Sequence, residues 1–265
     1  MWAVEMNAGQ EAQLLAHAQA CKANVVCIRT SNPGLPDAIG LFHKANIAVY
    51  GWRWPATKPP VDKITQLPID DTVSHYFAPN EAHYVATQLI PKGLDGYIVD
   101  PESDVKGADN DWNDATFAPL AAQFCATIKN AAAAAGLTHF RFGVTSGCAY
   151  PDAAGKPNIP WAEFVAASNL LLPQTYWRWT NPKTNQVQPL HGGAPDAAIT
   201  MGVTSWTRIS AGKAIVPMTG ELNLVTAAEI AAYGARMQAL GHTELHFYAD
   251  APGIGGEVWQ AIADL

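Results

Sequence analysis

Short runs rich in β-branched and aromatic residues alternate along this chain with longer stretches whose apolar residues recur every three or four positions. That is the pattern of strands followed by amphipathic helices. The strand-like runs are WAVEMN, NVVCIRT, IAVYGWRW, DGYIVDPE, HFRFGVTS, NLLLPQTYW, AIVPMTGE and ELHFYAD. Between them lie the helical stretches GQEAQLLAHAQACKA, LPDAIGLFHKA, PNEAHYVATQLI, FAPLAAQFCATIKNAAAAAG, PWAEFVAAS, GAPDAAITMGVTSWTRI and TAAEIAAYGARMQALG, and GGEVWQAIADL closes the chain. Strands that alternate one for one with helices form parallel βα units. Eight such units make a (β/α)8 barrel of ordinary size, so the fold expected is α/β, a single TIM barrel over residues 1–265. Any active site then sits on the loops after the strand C-termini. Gly136 reads as the cap ending the alanine-rich helix, and RWTNPKTNQVQPLHGGAPD reads as a long polar loop.

A doubly wound open sheet would carry a phosphate-binding glycine loop after its first strand. Here that strand runs into MNAGQEA, and the chain has no GxGxxG and no GxxxxGK[ST]. With 265 residues, 49% of them hydrophobic, the chain can bury a large core. A net charge of −7 with 16 Lys and Arg and no basic run offers nothing to a nucleic-acid backbone or an anionic membrane, and an uncharged substrate fits better. No run is apolar enough to span a bilayer, and no basic n-region precedes an apolar segment. A cytoplasmic site of synthesis is expected unless a leader is missing, and a monomer is expected. Cys21, Cys27, Cys125 and Cys148 form no CxxC pair and sit in apolar surroundings, which points to packing.

Chemistry concentrates in LDGYIVDPESD, residues 94–104. Side chains on a strand alternate faces, so Ile98, Asp100 and Glu102 share one and Tyr97, Val99 and Pro101 the other. With the second set against the helices, Asp100 and Glu102 point into the barrel at its C-terminal rim, about 7 Å apart by strand rise. Two acids this close should have their pKa values pushed apart, one ionised and the other protonated near neutral pH: a general acid with a supporting carboxylate. The plainer alternative is that these acids solvate a loop or cap the next helix.

The run Asp95-Gly96-Tyr97-Ile98-Val99-Asp100-Pro101-Glu102 resembles the DGxDxDxE signature of family 18 chitinases. The resemblance implies Glu102 as proton donor and Asp100 as the residue orienting a substrate N-acetyl group that itself attacks the anomeric carbon. It departs at Ile98, where the family carries its inner Asp, a loss that touches the relay beneath Asp100. The pair is also similar to the DxE of family 25 lysozymes, which cut peptidoglycan. Gln174-Thr175-Tyr176 resembles the QxY of plant-type family 18 enzymes, implying that Tyr176 contacts the N-acetyl group beside Gln174. A competing layout, similar to retaining two-glutamate barrel glycosidases, would keep Glu102 as donor and use Glu221, at the end of strand seven, as nucleophile; otherwise Glu221 is a rim residue beside Arg29 or solvent.

Sugars present apolar ring faces, and Trp52, Trp54, Trp177 and Trp179 lie near expected strand ends, where they could form platforms. Trp2, Trp161, Trp206 and Trp259 read as core. Strand one lacks the HxH of metal-dependent barrel hydrolases, and no metal or other cofactor is expected. His191, His246 and Asp250 are further rim candidates for substrate contact. The expectation is therefore a glycosidase acting on an N-acetylhexosamine-containing glycan of chitin or peptidoglycan type, through Glu102, Asp100 and Tyr176, with Gln174, Trp52, Trp54, Trp177, Glu221 and Asp250 as substrate contacts. A catalytically silent sugar-binding barrel is the alternative.

Overall fold

Six parallel strands follow one another in chain order across a single sheet: β1 (Trp2–Ala3), β2 (Val25–Arg29), β3 (Ala48–Arg53), β4 (Gly96–Val99), β5 (Arg141–Gly147) and β6 (Leu170–Gln174). The structure, a computed structural model, describes all residues except 4, 5, 7, 8, 63, 66 and 68. Of the expected first strand WAVEMN, residues 4, 5 and 7 lie outside the described residues. Among the described residues, the parallel pairing beyond β6 continues through isolated bridges: Leu171 to Ile215, Gln174 to Met218, Met218 to His246, and Asp250 back to Ala3 of β1. The seventh and eighth strands expected from AIVPMTGE and ELHFYAD are thus bridges and not extended ladders. In the first, Pro217 has no N–H to give to a ladder.

The described α-helices fall in the expected stretches to within one residue: α1 (Glu11–Ala20), α2 (Leu35–His43), α3 (Ala78–Tyr84), α4 (Ala118–Ala134), α5 (Trp161–Ala167), α6 (Pro195–Thr207), α7 (Ala227–Ala239) and α8 (Gly256–Ala263). The local reasons are visible. Helices α2, α3, α4 and α6 each carry proline in the first turn, where its missing N–H would have had no partner. A capping box between Thr226 and Glu229 opens α7, and Gly136, with φ +72°, follows the end of α4. The segment expected as a polar loop instead contains an antiparallel hairpin, β7 (Arg178–Asn181) with β8 (Gln186–Pro189). Its Thr, Asn and Gln residues carry no apolar alternation, so periodicity missed it. All four cysteines are buried and free. Among the described residues no helix is long and apolar enough to cross a membrane.

Parallel register puts paired residues on one face. Trp52 pairs with Ile98 and Ile98 with Gly143, which places them in one inner row, and Gly147 with Gln174 continues that face toward the strand ends. A Cβ on Gly143 would stand 3.4 Å from Ile98, so glycine keeps this layer narrow. The opposite row faces the helices: the Tyr97 ring lies 5.8 Å from Phe124 of α4.

Where the strands begin, Arg141 holds the Glu244 carboxylate at 2.9 Å and His246 reaches it at 2.9 Å. Burial opposes ionisation of Glu244, but these hydrogen bonds and charges win and lower its pKa to about 2. The folded-state value lies below the ordinary one, so this stabilisation is present above about pH 4 and fades as pH falls toward 2. A third of each side chain is exposed, so screening limits the contribution to about 1 kcal/mol. Glu244→Gln should therefore lower Tm by roughly 2–4 °C at pH 7 and much less at pH 3, as followed by thermal melts. An equal loss at both pH values would show that the charge is not the cause.

Candidate active site

Strand β4 stops at Val99, and the next residues turn onto the rim with Asp100 at their head. Its amide donates to the Arg53 carbonyl at 2.8 Å, which extends the β3–β4 pairing by one residue and holds the side chain on the inner face. Asp100 is 3% exposed. Gln174, at the end of β6, donates from Nε2 to both of its carboxylate oxygens at 3.1 Å. Two of the motifs singled out in the sequence, far apart along the chain, therefore meet in space.

Glu102 follows on the same side and is half-buried. Its backbone carbonyl accepts from Trp112 N at 2.9 Å, and its carboxylate accepts from Asn110 Nδ2 at 3.3 Å. Burial raises the pKa of Glu102 to about 7; the Asp104 charge adds to this and the Asn110 hydrogen bond opposes it. Burial also pushes Asp100 well above the carboxylate range, and repulsion from Glu102 acts in the same direction, against the Gln174 hydrogen bond. Both acids are raised. The expected picture of one acid left fully ionised is corrected, because desolvation acts on the whole pair.

This arrangement has a consequence for stability. A carboxyl whose folded pKa exceeds its unfolded value makes the fold less stable as pH rises above about 4. Asp100→Asn keeps an acceptor for Gln174 and removes the charge. Its Tm should exceed that of the parent by a few degrees at pH 8 and match it at pH 4, since about 1 kcal/mol is worth roughly 2–4 °C in a chain of this size. Equal melting at pH 8 would refute burial as the dominant influence on Asp100.

Around the acids stands an aromatic wall. Tyr176, just past β6, stacks on Tyr248 with ring centroids 5.5 Å apart, and a Cβ on Gly220 would meet Tyr176 at 3.0 Å, so glycine lets that segment close on the ring. Burial raises both phenols, and the charges of Asp100 and Glu102 add to it, which places all four groups in one electrostatic neighbourhood. Glu221 is exposed, and its charge also reaches Tyr176 and Tyr248. Trp54 is partly exposed, with the Arg29 guanidinium 5.2 Å above its ring. The sequence places Tyr150 near a strand end and Asp104 in the loop after the acid pair, but nothing in it singles out Tyr248 or Asn110. Tyr248 was open to detection, having the inward parity of His246 on the same segment.

Other expectations fail. Trp52 is 1% exposed, edge-on to Trp2 at 5.4 Å, and fills the interior as side chains do inside a barrel. Trp177 is fully buried against Tyr233 of α7 at 6.2 Å. Neither indole offers a face to a ligand. Asp250 takes His17 of α1 at 3.1 Å, and the two line a separate hollow with Gln10, Gln13 and Pro252. It is withdrawn from the acid pair because a partly buried carboxylate has found a histidine partner. His246 is buried on Trp2 and Glu244 and does not reach the rim. His191 lies 3.1 Å from Cys148. Trp179 is on β7, 37% exposed. Among the described residues no three His, Cys, Asp or Glu side chains converge as metal ligands would.

No protein-family profile and no curated protein matches the chain. Its structural neighbours are family 18 chitinases and related glycoside hydrolases. It resembles a chitinase from Chromobacterium violaceum with 14% identity and a TM-score of 0.59, over 98% of this chain and 97% of that one. It resembles a family 18 N-acetylglucosaminidase from Paenibacillus barengoltzii with 11% identity and a TM-score of 0.57, over 100% and 99% of the two chains. The spore cortex-lytic enzyme SleL of Bacillus megaterium matches with 9% identity and a TM-score of 0.57, over 99% of this chain and 73% of that one. At such identities the likeness is one of fold.

Proposed function

We propose that residues 1–265 form one glycoside hydrolase unit on a (β/α)8 barrel, with the bridged segments around Ile215–Met218 and His246–Asp250 in the seventh and eighth strand places. Its substrate is a glycan containing N-acetylhexosamine, of chitin or peptidoglycan type. The observation that carries this reading is the buried Asp100, fixed by Gln174, beside a Glu102 carboxyl whose pKa lies at about 7. A carboxyl poised there holds a proton at working pH and can release it in the transition state.

Glu102 gives its proton to the glycosidic oxygen as the bond to the anomeric carbon breaks. Asp100 turns the substrate acetamide so that its carbonyl oxygen attacks that carbon, and Tyr176 holds the acetamide in place. Water then opens the cyclic intermediate, with the Glu102 carboxylate taking its proton. Neither Asp100 nor Glu102 acts as a covalent nucleophile, so this reaction stands outside the usual two-carboxylate scheme. Trp54, partly exposed, and Trp179, exposed, are the indoles near the strand ends that could meet sugar faces.

Reducing-end release from chito-oligosaccharides, peptidoglycan fragments and glucose-based β-glucan oligosaccharides tests the reading, because only the first two carry the acetamide. Turnover confined to acetamido glycans is expected. Equal cleavage of β-glucan would favour a Glu221 nucleophile, and binding without turnover would favour the silent barrel.

A further inference from the structure

The loop that follows β4 folds back on itself. Ser103 Oγ donates to Asp111 at 2.6 Å, Gly107 N donates to the other Asp111 oxygen at 2.6 Å, and Trp112 N closes the loop onto the Glu102 carbonyl. The β5 strand secures its root, where Ser146 Oγ donates to the Pro101 carbonyl at 2.7 Å. Asp104 rides on this loop two residues past Glu102, and its carboxylate accepts the Tyr150 hydroxyl at 2.5 Å. Tyr150 belongs to the neighbouring loop, after β5, so the contact ties two rim loops together beside the acid pair.

The β5 loop is shaped to deliver that ring. A Cβ on Gly147 would stand 2.6 Å from Tyr150, and one on Gly155 would stand 2.3 Å from the Ala149 carbonyl oxygen. Lys156 N donates to the Tyr150 carbonyl at 2.7 Å and locks the turn. Nothing in the reaction proposed above uses either Asp104 or Tyr150.

We propose that Asp104, clamped by Tyr150, is a positioning residue for Glu102: its fixed negative charge beside the donor carboxyl keeps that carboxyl in its acid form. The inference rests on Glu102 being the proton donor. Asp104 is solvent-exposed, and the phenol's hydrogen bond holds its carboxylate in one orientation on the loop instead of leaving it free to turn away from Glu102. Around Glu102 the other titratable groups are Asp100 on the same segment, Tyr150, Tyr176, Tyr248 and Tyr76. Burial raises the four phenols and Asp100, so these groups stay neutral and leave Asp104 as the acid whose charge raises Glu102. The strand position below the pair, Ile98, offers no charge from underneath, so the field comes from the loop above.

The test reads Glu102 directly. Its carboxyl carbon is followed by 13C NMR titration, assigned by its disappearance in Glu102→Gln, in the parent, Asp104→Asn, Tyr150→Phe and the double variant. Asp104→Asn should move the Glu102 midpoint down by roughly one pH unit, and Tyr150→Phe should move it the same way by less. The double variant should equal Asp104→Asn alone, because Tyr150 acts through Asp104. Tyr150→Phe keeps the ring in the space left by Gly147, so it guards against a simple folding defect. An unmoved or rising midpoint in Asp104→Asn, or additive shifts in the double variant, overturns the inference. Where turnover is measurable, the basic limb of kcat/KM should shift in step. A shifted midpoint in a protein that cleaves no acetamido glycan would uphold the electrostatic link and defeat the proposed function.

Discussion

Glu102→Gln should remove turnover on acetamido glycans, lowering kcat/KM by about 10²- to 10⁴-fold, while the protein still folds and still binds its glycan. Glutamine fills the same volume and can keep its contact with Asn110, but it has no proton to give to the leaving oxygen. The size follows from what a positioned acid contributes: proton transfer to a departing alkoxide is the step that water performs poorly near neutral pH. The parent's pH profile should carry the same information. The active form is protonated, so kcat/KM should hold steady below the Glu102 pKa of about 7 and fall above it. An ordinary glutamate, near 4.3, would have lost that proton long before neutrality. Full activity in Glu102→Gln, measured by reducing-end release with melting checked in parallel, would refute the donor assignment.

Much of this site could be read from strand parity. The alternation through Ile98, Asp100 and Glu102 predicts a shared inner face, and Asp100 does meet Gln174 across the strand ends. The same rule, applied to the residues after Gln174, puts Tyr176 on the inner row and Trp177 on the outer one, where it packs on Tyr233 of α7. Proximity to a strand end says nothing about which way an indole turns, and that is why Trp177 misled. Trp52 shows a different limit. Its parity is inward, but so is that of a side chain filling the interior, and depth separates packing from ligand contact. Helices α2, α3, α4, α6 and α7 are legible because each joins apolar residues at helical spacing to a recognisable start, a proline or a Thr-x-x-Glu box. The last two strand places were overestimated, since an apolar run marks a strand's position and not the length of its ladder. Asp104 and Tyr150 could not be paired from sequence, because their contact depends on two loop shapes set by glycines and side-chain acceptors.

The rim also depends on an anchor outside it, and Glu81→Ala should be the most damaging single change to stability. Glu81 lies on α3 with no solvent exposure, and its carboxylate accepts from Thr30 at 2.6 Å, Tyr97 at 2.8 Å and His75 at 2.5 Å. Thr30 follows β2 and Tyr97 lies on β4, so one side chain ties a helix to two strands, the second of which leads into Asp100 and Glu102. Removing it leaves three buried donors without an acceptor. Such a loss is expected to cost about 3–5 kcal/mol, or roughly 10 °C in Tm. Glu81→Gln retains one acceptor oxygen but turns an amide N–H₂ toward the remaining donors, so it should fall between alanine and the parent. A calorimetric loss below about 0.5 kcal/mol in Glu81→Ala, the range of ordinary surface changes, would show that the donors find other partners. Because β4 leads into the acid pair, a partly destabilised variant should lose glycan turnover at lower temperatures than those at which its helices melt. That order would mark the Glu81 tie as what holds the site's strand in place.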